Sequence, residues 1–127
     1  MRAQLKGLDS VDAPGLGELD AYEPEDAESF ALNLNITVGP SDGPGGHVFD
    51  MTVCTPLWLA RQIESGGEPD IVPGRHYLFV KRYDIDKIES FIRVYVEERE
   101  FETWDELGEY VGRLGHWEFE DYDETGS

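Results

Sequence analysis

The residues of this chain whose chemistry could extend beyond packing are three histidines, one cysteine and a dense set of carboxylates near the end. His47, His76 and His116 are separated by 29 and 40 positions, whereas zinc and iron sites draw their ligands from short helical or knuckle spacings. No metal ligand is therefore assigned. Cys54 is the only cysteine, so neither an intrachain disulfide nor a thiolate cluster can form. Its place in the apolar run "TVCTPLWL" makes it a small buried hydrophobe rather than a nucleophile. His116 has the intrinsic basicity of a general base, but directly after Gly115 it reads as a helix-terminal histidine, its proton favoured by the helix dipole and nearby acids.

The pairs Glu118 with Glu120 and Asp121 with Asp123 offer the two carboxylates that glycosidases use. In a stretch as acidic as "HWEFEDYDETGS" such pairs arise at every spacing, so they carry no catalytic assignment. "DYDETGS" also lacks the glycine turn and twelve-position ligand order of a calcium loop. The chain contains no G-x-x-x-x-G-K-[ST], G-x-S-x-G, H-E-x-x-H or G-x-G-x-x-G motif. The reading is a protein without catalytic residues, metal or cofactor, whose work is binding.

Charge says what kind of binding. The formal net charge is -18 and its placement is uneven. Residues 9–28 hold eight acids and no Lys or Arg, giving -8, and residues 100–127 hold ten acids against Arg113 alone, giving -9. Such a field repels nucleic acid and anionic membranes and attracts basic partners. Adaptation to high salt also produces acidic surfaces, but spreads them more evenly.

Positioning such a surface requires a scaffold. The 127 residues, 39% hydrophobic, suit one domain with a real core, and no apolar run approaches the ~20 residues of a membrane helix. The expectation is a soluble, cytoplasmic protein. "LKGLDS" is a first short strand anchored by Leu5 and Leu8, and residues 9–28 form a long acidic, Pro- and Gly-containing irregular segment. "FALNLNITVG" alternates Phe30, Leu32, Leu34, Ile36 and Val38 with smaller or polar residues; "GPSDGPGG" turns the chain; "HVFDMTVC" returns with Phe49, Met51 and Val53 on one face. Together they predict an antiparallel hairpin.

Thr55 and Pro56 open a helix with Leu59 and Ile63, plus Leu57 or Trp58, as its inner face. "RHYLFVKRY" reads as an apolar-centred strand, and Asp84 caps a helix whose inner residues are Ile85, Ile88, Phe91, Ile92, Tyr95 and Val96. Thr103 and Glu106 make a capping box, with Leu107, Tyr110, Val111 and Leu114 inward and Gly115 as the C-cap. "HWEFEDY" is a last strand, with Trp117 and Phe119 on the covered face and Glu118 and Glu120 on the open one. Trp117 is expected to be buried against Leu107 or Val111. The order implies an α+β fold: a mostly antiparallel sheet of four to five strands with about three helices packed on one face. Residues 1–127 form one domain, ending in a short flexible tail at 123–127.

Several stretches also resemble a known family. "VCTPLWLARQ", "VPGRHYLFVKRYD", "WDELGEYVGRLGHWEFEDY" and "YEPEDAESFALNLNITVGP" look like bacterial immunity proteins of family eight, from polymorphic toxin systems. The likeness runs from about Leu5 to Tyr122, and its most specific parts are C-T-P-x-W-L from Cys54 and G-H-W-E-F-x-D-Y from Gly115. It implies a small cytoplasmic α+β protein without catalysis, encoded beside a secreted toxin, that binds the toxin domain and protects the producing cell. The partner-binding candidates are Glu118, Glu120, Asp121 and Asp123 as an acidic docking surface, with Tyr122 and Trp104 as aromatic anchors; packing on the core is the alternative for both aromatics. The partner is a cognate toxin domain with a basic surface. Because toxins that act on nucleic acid need a basic cleft, the acidity points to a nuclease. An acidic adaptor or nucleic-acid mimic without a toxin partner is the alternative.

Overall fold

A computed structural model of the chain describes residues 2–12 and 22–117. Its centre is the expected hairpin: β2 (Ala31–Pro40) and β3 (His47–Cys54) are antiparallel, with Leu32 opposite Val53, Leu34 opposite Met51 and Ile36 opposite Phe49. These six side chains are all but fully buried on one face. Each contributes about 1.5–3 kcal/mol through burial, and a one-residue slip would turn the whole set to solvent, which fixes the register.

β1 (Ala3–Ser10) pairs antiparallel with β2. Leu5 and Leu8 are three positions apart, so a regular strand would send them to opposite faces. A bulge between Leu5 and Gly7 absorbs Lys6 and places Leu5 opposite Val38 and Leu8 opposite Ile36, both toward the core. The amine of Lys6 donates to the carbonyls of Gly43 and, at 3.1 Å, Gly45, fastening the β2–β3 turn.

The remaining edge of β3 is shared. β4 (Tyr77–Phe79) runs parallel to its end at Thr52–Cys54, and β5 (His116–Trp117) pairs antiparallel at Phe49 and Asp50. The sheet order is β1-β2-β3-β4, with β5 attached to β3.

Helix α1 (Pro56–Ser65) starts as expected, Thr55 Oγ1 accepting from Trp58 N–H at 3.2 Å, and ends at Gly66 with φ 85°. Its expected inner face does not reach the core: no residue is fully buried, and Leu57 is exposed. The strand it crosses to, β4, is only three residues long, much shorter than "RHYLFVKRY" led one to expect. That leaves little sheet for α1 to cover.

Helix α2 (Ile85–Glu97), capped by Asp84, buries Ile88, Ile92 and Val96, while Phe91 is exposed rather than inward. Its last turn closes the free edge of β1: Glu97 accepts from Leu5 N–H at 3.0 Å and is held by Arg93 at 3.2 Å. Helix α3 (Trp104–Val111) buries Leu107, Gly108 and Val111. Thr103 Oγ1 accepts from Glu106 N–H (3.1 Å), and Glu106 accepts in return from Glu102 N–H (2.9 Å) rather than from Thr103. The helix stops at Val111, short of the expected cap, where Arg113 and Leu114 N–H turn back only three residues, to Tyr110 O and Val111 O, and tighten the chain into a turn. Gly115 serves another purpose: a Cβ there would lie 3.2 Å from Asp50 O and Phe49 Cβ, so glycine lets the chain settle against β3.

Tyr22 and Phe30 pack edge-on against Tyr83, at 5.6 and 5.2 Å, and Tyr83 N–H donates to Ala27 O. The described part of the acidic segment is thereby tied to the approach to α2. Among the described residues no helix is long and apolar enough to cross a membrane.

Candidate partner-docking surface

Trp104 is the first residue of α3, and the capping bonds of Thr103 and Glu106 set its position. Its ring meets His47 edge-on at 4.6 Å, and His47 meets Trp117 at 5.4 Å. The three rings form one row beside the β2–β3 turn. Trp104 remains 37% exposed, so it packs on this row without entering the core. Around it in sequence stand Glu102, Asp105, Glu106 and Glu109, all exposed. Asp105 and Glu106 lie in the first turn of α3, where carboxylates are favoured by the helix dipole. None of these four acids has a basic partner among the described residues.

Trp117 is half-buried rather than buried. It stands opposite Phe49 and therefore on the covered face, as expected. In α3 it lies against Gly108, where a Cβ would lie 2.5 Å from the indole ring, and it packs on the core cluster to which Leu107 and Val111 belong. From Trp117 the chain continues into Glu118, Phe119, Glu120, Asp121, Tyr122 and Asp123, which lie outside the described residues, as does the 123–127 tail.

His116 belongs to β5, in register with Asp50, and is exposed. The helix-terminal role falls to His76 instead, whose Nε2 lies 3.0 Å from the carbonyl of Gly112 just beyond α3. A carbonyl only accepts, so this nitrogen carries the proton. His76 adopts φ 64° and its ring lies edge-on to His116 at 5.5 Å. Two of the three histidines thus converge, through strands that sequence spacing does not relate. No group of three or more His, Cys, Asp or Glu is placed to hold a metal among the described residues. An open cleft of about 330 Å³ of mixed character is lined by Asp12, Asn33, Asp50, Thr52, Arg75 and His76 together with Ala31, Leu32 and Met51. Asp12 accepts from Asn33 N–H at 2.8 Å, so its carboxylate already has a structural use. Cys54 is fully buried, and burial, with Glu68 adding to it, pushes its thiol up to about 11. It is a protonated, inert packing residue at neutral pH.

The family model for Immunity protein 8 matches residues 3–122, almost the entire chain. The chain belongs to this immunity-protein family. No curated protein and no solved structure matches it. In this Immunity protein 8 chain, the residues that carried the resemblance are largely those that build the fold: Cys54 is core, Thr55 and Pro56 start α1, Gly115 lets β5 approach β3, and Trp117 closes over Gly108. Among the described residues of this Immunity protein 8 domain, the exposed large apolar side chains besides Trp104 are Val11, Val48, Leu57, Ile71, Phe79, Phe91 and Val94. They escaped the sequence reading, although Phe91 carried a signal. At about 100° per residue it lies about 100° from Ile92, the middle of the Ile88–Ile92–Val96 stripe, and farthest from Val96.

Proposed function

We propose that this protein binds a cognate secreted toxin domain in the cytoplasm of the producing cell and neutralises it by occlusion. An acidic surface centred on Trp104 meets a basic toxin surface. The observation that supports the reading is an exposed tryptophan beside four exposed acids that lack basic partners among the described residues, in a chain that runs on in sequence from Trp117 into Glu118, Glu120, Asp121 and Asp123. No residue need perform chemistry. The acids steer encounter over the ~8 Å that charges reach at physiological salt, and the indole of Trp104 supplies the desolvated anchor typical of interface hot spots. Tyr122 is a second anchor by its sequence position. A toxin that cleaves nucleic acid fits best, because its substrate cleft must be basic.

The test uses the C-terminal domain of the secreted protein encoded beside this gene. It should bind the purified protein with an association rate that falls steeply between 50 and 500 mM salt, and co-expression should rescue cells from it. Absence of binding would overturn the toxin reading in favour of an acidic adaptor or nucleic-acid mimic, for which the -18 charge alone speaks.

A further inference from the structure

The two edges of the sheet are treated differently. β1 is closed, with Leu5 N–H taken by Glu97 and Arg2 bridged to Glu100. β4, at the other edge, has no further strand beside it among the described residues. In the parallel β3–β4 ladder Thr52 N–H donates to His76 O (3.0 Å) and Val80 N–H to Cys54 O (2.9 Å). Strand alternation then turns the backbone of Leu78 toward β3 and the backbone groups of Tyr77 and Phe79 outward. Tyr77 N–H is taken up locally by Gly74 O at 3.3 Å, which leaves Phe79 to present both an N–H and a C=O at the edge. Its ring, stacked on Tyr77 at 5.7 Å, is 46% exposed. Beside it lies a groove of about 550 Å³ lined by Pro56, Leu57, Phe79 and Val80, with Glu28 and Lys81. Helix α1, which buries nothing fully, leaves Leu57 43% exposed there.

We propose that the β4 edge receives an extended segment of the toxin as an added strand, with an apolar side chain of that segment seated in the Leu57–Phe79 groove. The proposal rests on the toxin-binding reading and locates a second contact for it, separate from Trp104. An edge N–H and C=O in the strand direction are satisfied together by an extended backbone, and an adjoining apolar groove selects one of its side chains. Charge decides between occupants. A second copy of this chain would bring another -18 to the interface, whereas a basic segment is drawn by that same field; at the groove itself Glu28 is offset by Lys81, and the nearest further carboxylate is Glu68 beside Tyr77.

Amide hydrogen exchange resolved by residue tests this on the wild-type protein, free and with the toxin domain encoded beside the gene. Exchange at Phe79 should slow at least tenfold in the complex. Phe79→Pro removes the outward N–H while sparing the β3–β4 ladder, and Phe79→Ala keeps it. With the fold verified by circular dichroism, proline should raise Kd about 30-fold or more, a hot-spot effect, and alanine several-fold less. A wild-type complex with unchanged Phe79 exchange overturns the edge proposal and leaves the toxin reading standing, as does a folded Phe79→Pro variant that binds normally. Failure of the wild type to bind overturns both. Phe79 protection that grows with concentration in the protein alone assigns the edge to a second copy and refutes the toxin segment.

Discussion

Gly108 decides whether the chain can leave the core beside Trp104. A Cβ on Gly108 would sit 2.5 Å from Cη2 and Cζ2 of Trp117 and 2.6 Å from Cε2, about 1 Å inside a normal carbon–carbon contact. The ring cannot yield freely, because Trp117 is paired with Phe49 in β5 and lies against His47. Gly108→Ala should therefore incur about 1–3 kcal/mol of overpacking, offset by about 1 kcal/mol from the better helix propensity of alanine. The expected net effect is a loss of about 0–2 kcal/mol. In a Trp117→Ala background the obstruction is gone and only the propensity term remains, so the same substitution should stabilise by about 1 kcal/mol. Trp117→Ala itself should cost about 3 kcal/mol, the low end for a large aromatic, since the ring is half-buried. Urea unfolding of the four proteins, followed by far-ultraviolet circular dichroism so that no signal depends on the deleted indole, gives the coupling energy directly. If Gly108→Ala raises stability equally in both backgrounds, α3 and β5 are not in the close contact on which the position of the tail rests.

Trp104→Ala should lower stability by only about 1–2 kcal/mol, because over a third of the residue is exposed and the rest packs on His47, yet raise the Kd for the toxin domain about 30-fold; calorimetric titration and unfolding on the same samples check both halves. Glu118, Glu120 and Asp121 changed together to lysine should lower the association rate at least tenfold at low salt with little change in dissociation, as measured by stopped flow. Cys54 holds its proton more tightly folded than unfolded, its pKa rising from 9.0 to about 11. Its contribution is thus present below pH 9 and lost as pH climbs through 11, by roughly 2–3 kcal/mol. Cys54→Val should flatten that part of the pH–stability curve, and wild-type Cys54 should resist iodoacetamide at pH 8.

Much of this protein follows from local pattern. The period of two in "FALNLNITVG" and "HVFDMTVC" dictates the hairpin, its register and six core residues, because a pleated strand sends alternate side chains to one face. Thr55, Asp84 and Thr103 declare three helix starts, since an N-cap oxygen acts within three residues of itself. The uneven charge and the family resemblance are equally properties of the chain alone. What sequence could not decide depends on neighbours far along it. The inward rotation of Leu8 needs the bulge at Lys6, and the approach of β5 to β3 needs a glycine at 115, where a side chain would meet Asp50 and Phe49. His76 and His116 meet only because β4 and β5 share one edge of β3. The exposure of Leu57, Phe79 and Phe91 likewise records where the sheet runs out beneath an apolar stripe, for periodicity marks which residues share a face and only tertiary packing supplies, or withholds, something for that face to cover.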